Sequence, residues 1–283
     1  MKSWNEIRKA ATAFSKRWKD AYDDKSQAQS SLKEFFAVFG VDSVSFGYND
    51  RSEVTSATVF GIASSYGYDE IGNSTSYTPK SLNQYTEFAY DLDGNLLIDG
   101  VLSFTYDAAN RLKTVVTNGV LLLTNFYDAK SRRVKKVTQE ATTTFFYDDW
   151  NLIEERVAYT NGTTSTIRYY WGKDLSGESQ GAGGVGGLLY LTIDGAVYVP
   201  FYDNIGNVTR YVDENGNTVA QYTYDAFGKL IATSGPFADF FRHRFSTKYF
   251  DNDYRLTRLS DLTHLIVQHS FSKKLIYQLA TKV

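Results

Sequence analysis

Cysteine is absent from the 283-residue chain, so neither a disulfide framework nor a thiolate zinc site can be built. That absence leaves the compartment open, because it suits cytosolic and secreted proteins alike. Proline occurs three times and methionine once. There is no run of about eighteen apolar residues, and no membrane-spanning helix is expected. The opening MKSWNEIRKAATAF lacks the apolar stretch of a signal peptide, which predicts a cytoplasmic protein or one exported by a non-Sec route. Histidine is confined to His243, His264 and His269. The gap in HLIVQH puts two of them on opposite faces of a strand, or roughly 140° apart on a helix, which does not suit a shared metal. Surface or partly buried histidines are expected, with no metal site and no cofactor.

Acid and base are unevenly spread. The formal net charge is −2, but residues 1–40 carry +3 and residues 240–283 carry +5, which leaves −10 for the stretch between. An acidic middle repels phosphate backbones and makes nucleic acid an unfavourable partner for it.

What the chain has in abundance is aromatic: twenty-two Tyr and nineteen Phe. Rings in this number, interspersed with Thr, Val and glycine turns, favour strands. The first forty residues are the exception. Ser3 and Glu6 make a capping pair, and Trp4, Ile7, Ala11, Phe14, Trp18 and Tyr22 then recur at helical spacing. A second stripe, Ala28, Leu32, Phe35, Phe36 and Phe39, ends at Gly40, and together they predict two amphipathic helices.

From about residue 44 a Tyr-Asp pair recurs: Tyr68-Asp69, Tyr90-Asp91, Tyr106-Asp107, Tyr127-Asp128, Tyr147-Asp148, Tyr202-Asp203 and Tyr224-Asp225. At Tyr68, Tyr90, Tyr106 and Tyr224, among others, a second aromatic stands two residues earlier (Tyr66, Phe88, Phe104, Tyr222), so that both rings share one strand face. The aspartate bonds its own backbone and begins a turn. Four residues after the tyrosine stands Gly72, Gly94, Asn110, Asn151, Gly206 or Gly228, each a residue that tolerates positive φ. The copy at Tyr127 breaks this rule with Ser131. Leu96, Leu112, Val208 or Leu230 then restarts a strand, and Thr117-Asn118-Gly119, Glu214-Asn215-Gly216 and Asp194-Gly195 signal further hairpins. The middle of the chain therefore reads as an array of antiparallel hairpins.

YDLDGNLL, YDAANRL, YDNIGNV and YDAFGKL resemble the repeats of the RHS/YD-repeat family, and YYWGKDLSGESQGAGGVGGLL followed by RFSTKYFD is similar to the start of its RHS-associated core region. The resemblance covers about residues 44–253. It implies a long β-sheet that winds into a hollow shell, enclosing in bacterial members a C-terminal toxin that the core region releases by self-cleavage. The family's Asp-Pro pairs, which include the cleavage site, have no counterpart here. Self-cleavage and a toxin cargo are therefore not expected. Residues 1–40 resemble the N-terminal helical segment of fused restriction endonuclease–adenine methyltransferases, without the catalytic motifs of either enzyme.

Other motifs invite other chemistry. Gly177-Glu178-Ser179-Gln180-Gly181 matches a nucleophile elbow, and Gly181, Gly183 and Gly186 match a phosphate cradle. Both need a helix to follow, and five glycines within residues 181–187 disfavour one. Glycine is better explained by close approach of backbone to backbone at a bend. Asp91, Asp93 and Asn95, and likewise Asp213, Asn215 and Asn217, alternate oxygen ligands as a calcium loop does, but without the EF-hand glycine and glutamate positions. Lys130, Arg132, Arg133, Lys135 and Lys136 form a basic run, read as a solvated sheet face with cross-strand carboxylate partners.

The expected fold is mainly β: antiparallel YD-repeat hairpins in a curled open sheet, a partial RHS shell, preceded by a pair of α-helices. The expected domains are a helical segment over 1–43, the sheet over 44–253 and a divergent tail over 254–283. The expected role is that of a non-catalytic, truncated shell fragment, with other RHS or toxin components or surface glycans as partners. The alternatives are an accessory of DNA restriction–modification acting through the helices, or a glycan-binding surface.

Overall fold

The computed structural model describes residues 4–17, 44–59, 61–80, 82 and 84–251. The second helical stripe, His264, His269 and the tail from residue 254 lie outside the described residues, as does Ser3 of the capping pair. The first stripe as far as Phe14 lies in helix α1, Trp4–Arg17, while its Trp18 and Tyr22 lie outside the described residues. Glu6 stands in the first turn of α1, where a carboxylate meets the positive end of the helix dipole. Among the described residues no helix is long and apolar enough to cross a membrane.

The chain divides into two compact units. The first, Met1–Ser76 with Asp225–Phe227, contains a three-stranded antiparallel sheet of β1 (Ser45–Tyr48), β2 (Val54–Val59) and β3 (Ile62–Ser65). The second holds a fourteen-stranded sheet whose spatial order is its chain order, β4 to β17. Its strands are β4 (Ala89–Tyr90), β5 (Leu96–Ile98), β6 (Leu102–Tyr106), β7 (Leu112–Thr117), β8 (Val120–Tyr127), β9 (Arg133–Thr138) and β10 (Ala141–Asp148). They continue with β11 (Asn151–Tyr159), β12 (Thr164–Trp171), β13 (Leu188–Ile193), β14 (Ala196–Tyr202), β15 (Val208–Asp213), β16 (Thr218–Tyr224) and β17 (Leu230–Ser234). Every pairing is antiparallel and between neighbours in sequence, so the large sheet is an open meander, as the repeats predict.

One face of this sheet is the core. Alternation puts Leu102 and Phe104 of β6, Val115 of β7, Leu123 of β8 and Phe145 of β10 on the buried side. Two apolar clusters result, one over β4–β8 and a larger one from Phe145 to Phe241. The larger is closed by residues 236–251, a strap that carries a short 3-10 turn (Phe245–Thr247) and lies on the sheet. Phe241 stacks on Tyr211 at 3.9 Å, and the Tyr211 and Tyr222 hydroxyls donate to the carbonyls of His243 and Ala238. This contact corrects the sequence reading of His243: it is 4 % exposed, packed edge-on to Tyr169 and Trp171.

Candidate functional site: the tyrosine–aspartate turns

Every repeat but the one at Tyr147 is a five-residue turn built round a carboxylate. In the Asp91 copy, Oδ1 accepts the backbone N–H of Asp93 at 3.0 Å and of Asn95 at 2.8 Å, while Oδ2 accepts the Asn95 amide. Asp69 with Asn73, Asp203 with Asn207 and Asp213 with Asn217 repeat the arrangement. The Asp91 and Asp213 oxygens, which suggested calcium, thus accept hydrogen bonds from the turn itself. Hydrogen bonds from the asparagine amides hold the Asp69, Asp91 and Asp213 carboxyls below the usual carboxylate range. The next-to-last turn residue is left-handed: φ is 90° at Gly72, 84° at Gly94, 57° at Asn110, 82° at Gly206 and 85° at Gly228.

Two copies depart from the sequence reading. Ser131 does not break the rule; its φ of 64° takes the same left-handed place, held by the Asp128 cage. Asn151 is not a turn residue. It pairs with Asp148 as the first residue of β11, and the left-handed residue is Asp149, at φ 46°. The cause is length. Tyr106 pairs with Leu112 and Tyr202 with Val208, six residues on, whereas Tyr147 pairs with Leu152, five on. With one residue fewer the loop closes tightly and Asp148 stays in the strand.

Where the fifth turn position holds arginine, the turn also grips its neighbour. Arg111 donates to the Asp107 carboxylate at 2.7 Å and to the carbonyl of Asp128 at 2.9 Å, and lies 4.8 Å from the centre of the Tyr127 ring. Arg132 repeats this one hairpin later with Asp128, the carbonyl of Asp149 and the ring of Tyr147. The basic run is thus not one solvated face. Arg133 and Lys136 turn inward onto the carboxylate of Asp251, at 2.5 and 2.7 Å, and Lys136 is buried.

The tyrosines do what the sequence does not announce. The Tyr106 hydroxyl donates to the carbonyl of Leu96, the residue paired with Tyr90; Tyr127 donates to Leu112, the partner of Tyr106; Tyr147 donates to Arg133, the partner of Tyr127. Trp171 then takes the tyrosine's place, its Nε1 donating to Leu152 at 2.8 Å. Tyr202 continues to Leu188, the partner of Trp171, and Tyr224 to Val208, the partner of Tyr202. Each hairpin is pinned to the one before it by a single ring. Every one of these rings follows a β-bulge, with the extra residue on the returning strand, as at Lys113, Ile153 and Leu189. That is why Ile153 and Leu189 stand exposed though apolar. YYWG at residues 169–172 is the one signal that could have revealed Trp171, since it occupies the slot of a Tyr-Asp pair.

The glycine-rich loop is a larger version of the same cage. Asp174, buried, accepts the N–H groups of Ser176, Ala182 and Gly184 and the Ser176 hydroxyl. Turns, not a helix, follow Gly183, and Ser179 is exposed, so neither the nucleophile elbow nor the phosphate cradle forms. Glycine is required for contact: a Cβ on Gly206 meets Val185 Cγ1 at 2.5 Å and the Gly186 nitrogen at 3.2 Å. Glu155 is held by the Tyr169 and Tyr249 hydroxyls at 2.5 and 3.0 Å, and burial pushes both phenols far above their ordinary range.

These features define a class: a β-sheet grown one hairpin at a time, with a ring and a carboxylate as the repeating fastener. Residues 22–261 match the Teneurin YD-shell family, and the chain belongs to it. The chain is 30% identical over 190 residues to the tRNA3(Ser)-specific nuclease WapA of Bacillus spizizenii and equally to the tRNA nuclease WapA of Bacillus subtilis. The matches take in 59% of this chain but only 8% of either relative. Among solved structures, TcdB2-TccC3-Cdc42 superposes at a TM-score of 0.50 with 14% identity, over 74% of this chain and 11% of that one. The Photorhabdus luminescens Tc holotoxin pore superposes at 0.51 with 12% identity, over the same shares. Both are likenesses of fold.

Proposed function

We propose that the chain is a non-catalytic wall segment of a YD shell, the part that surrounds a toxin polypeptide rather than the part that acts. The observation that carries this reading is the unbroken run of ring-to-carbonyl staples from Leu96 to Tyr224. The aromatic and acidic side chains that elsewhere make a reactive cleft are here consumed in joining hairpins. The buried carboxylates support it further: Glu155 is occupied by two phenols, Asp251 by two cations and Asp174 by the loop it organises. The names of the relatives, nucleases and toxin components, make a toxin the natural companion of such a wall.

Purified chain held for a day at neutral pH is expected to run as one species of 32.0 kDa on a denaturing gel and to leave added tRNA intact. Two fragments, or cleaved tRNA, would overturn the reading.

A further inference from the structure

The face of the large sheet that turns away from the core carries a second pattern. The residue before each fastening ring points outward, and in four alternate strands it is aromatic: Phe126 of β8, Phe146 of β10, Tyr170 of β12 and Phe201 of β14, each 37 to 46 % exposed. Successive rings stand two strands over and two residues along, about 12 Å apart on a flat sheet. Each is backed by its neighbour strand. Lys135 lies 5.4 Å from the centre of Phe126, Arg156 4.7 Å from Phe146 and Arg210 4.6 Å from Phe201, while Tyr170 stacks on Tyr190 at 4.2 Å. Arg168 joins the row through Glu154, which bridges it to Arg156. The Arg156 and Arg168 side chains remain 63 and 53 % exposed.

An outward row of rings is an interaction surface in a water-soluble sheet, where large apolar groups otherwise turn inward. Cations stacked on rings are held in one orientation, so an incoming anion orders little on binding. The row carries Lys135, Arg156, Arg168 and Arg210 against the single acid Glu154, within a stretch whose net charge is −10. A densely charged polymer such as a nucleic acid meets that background unfavourably. A polymer with sparse carboxylates and flat apolar ring faces meets a cation and an aromatic at each step. We propose that this stripe binds an extended acidic polysaccharide of the uronate type, its carboxylates on Arg156, Arg168 and Lys135 and its sugar faces on Phe146 and Tyr170.

The full chain titrated calorimetrically with hexagalacturonate and with a hyaluronan hexasaccharide is expected to bind at least one of them. Cellohexaose, hexaglutamate and a dT oligonucleotide of equal length are expected to bind at least about tenfold more weakly. Arg156→Gln, Phe146→Leu and Tyr170→Ala are each expected to weaken uronate binding by about tenfold with an unchanged melting curve, and Thr192→Ala to leave it unaltered. Phe146→Leu keeps apolar bulk, so its effect reads the ring and not the fold. Failure of both uronates to bind overturns the proposal, as does equal binding of hexaglutamate or dT, or indifference to the loss of the rings.

Discussion

A phenol that donates to a carbonyl on the last strand of the preceding hairpin does the work of a hydrogen-bonded rung without adding a strand. Tyr127→Phe and Tyr202→Phe remove only the donor, leaving the carbonyls of Leu112 and Leu188 short of one partner. Each is expected to lower unfolding free energy by about 1 kcal/mol in urea titrations, and Trp171→Phe by a comparable amount through Leu152. Protonation tells the same story from both ends of the pH scale. Burial pushes the Tyr127 and Tyr147 phenols up to about 12. The unfolded chain therefore loses these protons first, and stability present below pH 10 is lost as pH rises through about 12. Burial, with a smaller contribution from Lys248, pulls His243 down to about 3, and its Nδ1 has no hydrogen-bond partner among the described residues. That contribution is present above about pH 6.5 and fades as pH falls towards about 3. Measured by melting temperature between pH 7 and pH 4, His243→Phe is expected to flatten the acid limb. An unchanged limb would mean that the carboxylate cages alone produce it.

At the scale of the turn, sequence and structure agree where chemistry is local and part where geometry is shared. The carboxylate cages at Asp69, Asp91 and Asp203 were readable, because an Asx turn is made by residues a few positions apart. The left-handed Ser131 was not, since serine has no special liking for positive φ and is placed there by the Asp128 cage and the hairpin register. Nor was the shortened loop at Tyr147, which is a matter of pairing one residue earlier. The bulges behind the fastening rings, and so the outward turn of Phe126 and Phe146, needed the register of both strands. Two glycines test whether conformation or contact governs such turns. Gly216, at φ 81° with open space where a Cβ would go, is expected to lose about 1 kcal/mol as Gly216→Ala. Gly206, at φ 82° against Val185 and the Gly186 backbone, is expected to lose at least about 2 kcal/mol as Gly206→Ala, since strain and overlap add. Equal losses in chemical denaturation would sink the contact argument for the glycine-rich loop.

At the largest scale the fourteen-stranded sheet is one-dimensional: among the described residues each strand pairs with its neighbours, and the strap ties distant strands of it together. Residues 236–251 reach Tyr211 and Tyr222 at one end and Lys136 at the other, through Asp251. Hydrogen exchange is accordingly expected to be slowest in β10–β16 beneath the strap and fastest in β4 and β5 at the sheet edge. Uniform protection across the sheet would mean that the strap adds nothing. Strand content and antiparallel order were legible from the repeats, whereas the strap was not, because its partners lie up to 118 residues away.

The direction of the ring-to-carbonyl contacts carries a kinetic consequence. Tyr68, Tyr106, Tyr127, Tyr147, Trp171, Tyr202 and Tyr224 all reach back to a carbonyl earlier in the chain. A polypeptide emerging from the ribosome can thus lock each rung as it leaves the exit tunnel, with nothing still to be synthesised required. Tyr211 and Tyr222 wait, their hydroxyls reserved for carbonyls translated after them, so this latch can engage only once the wall behind it stands.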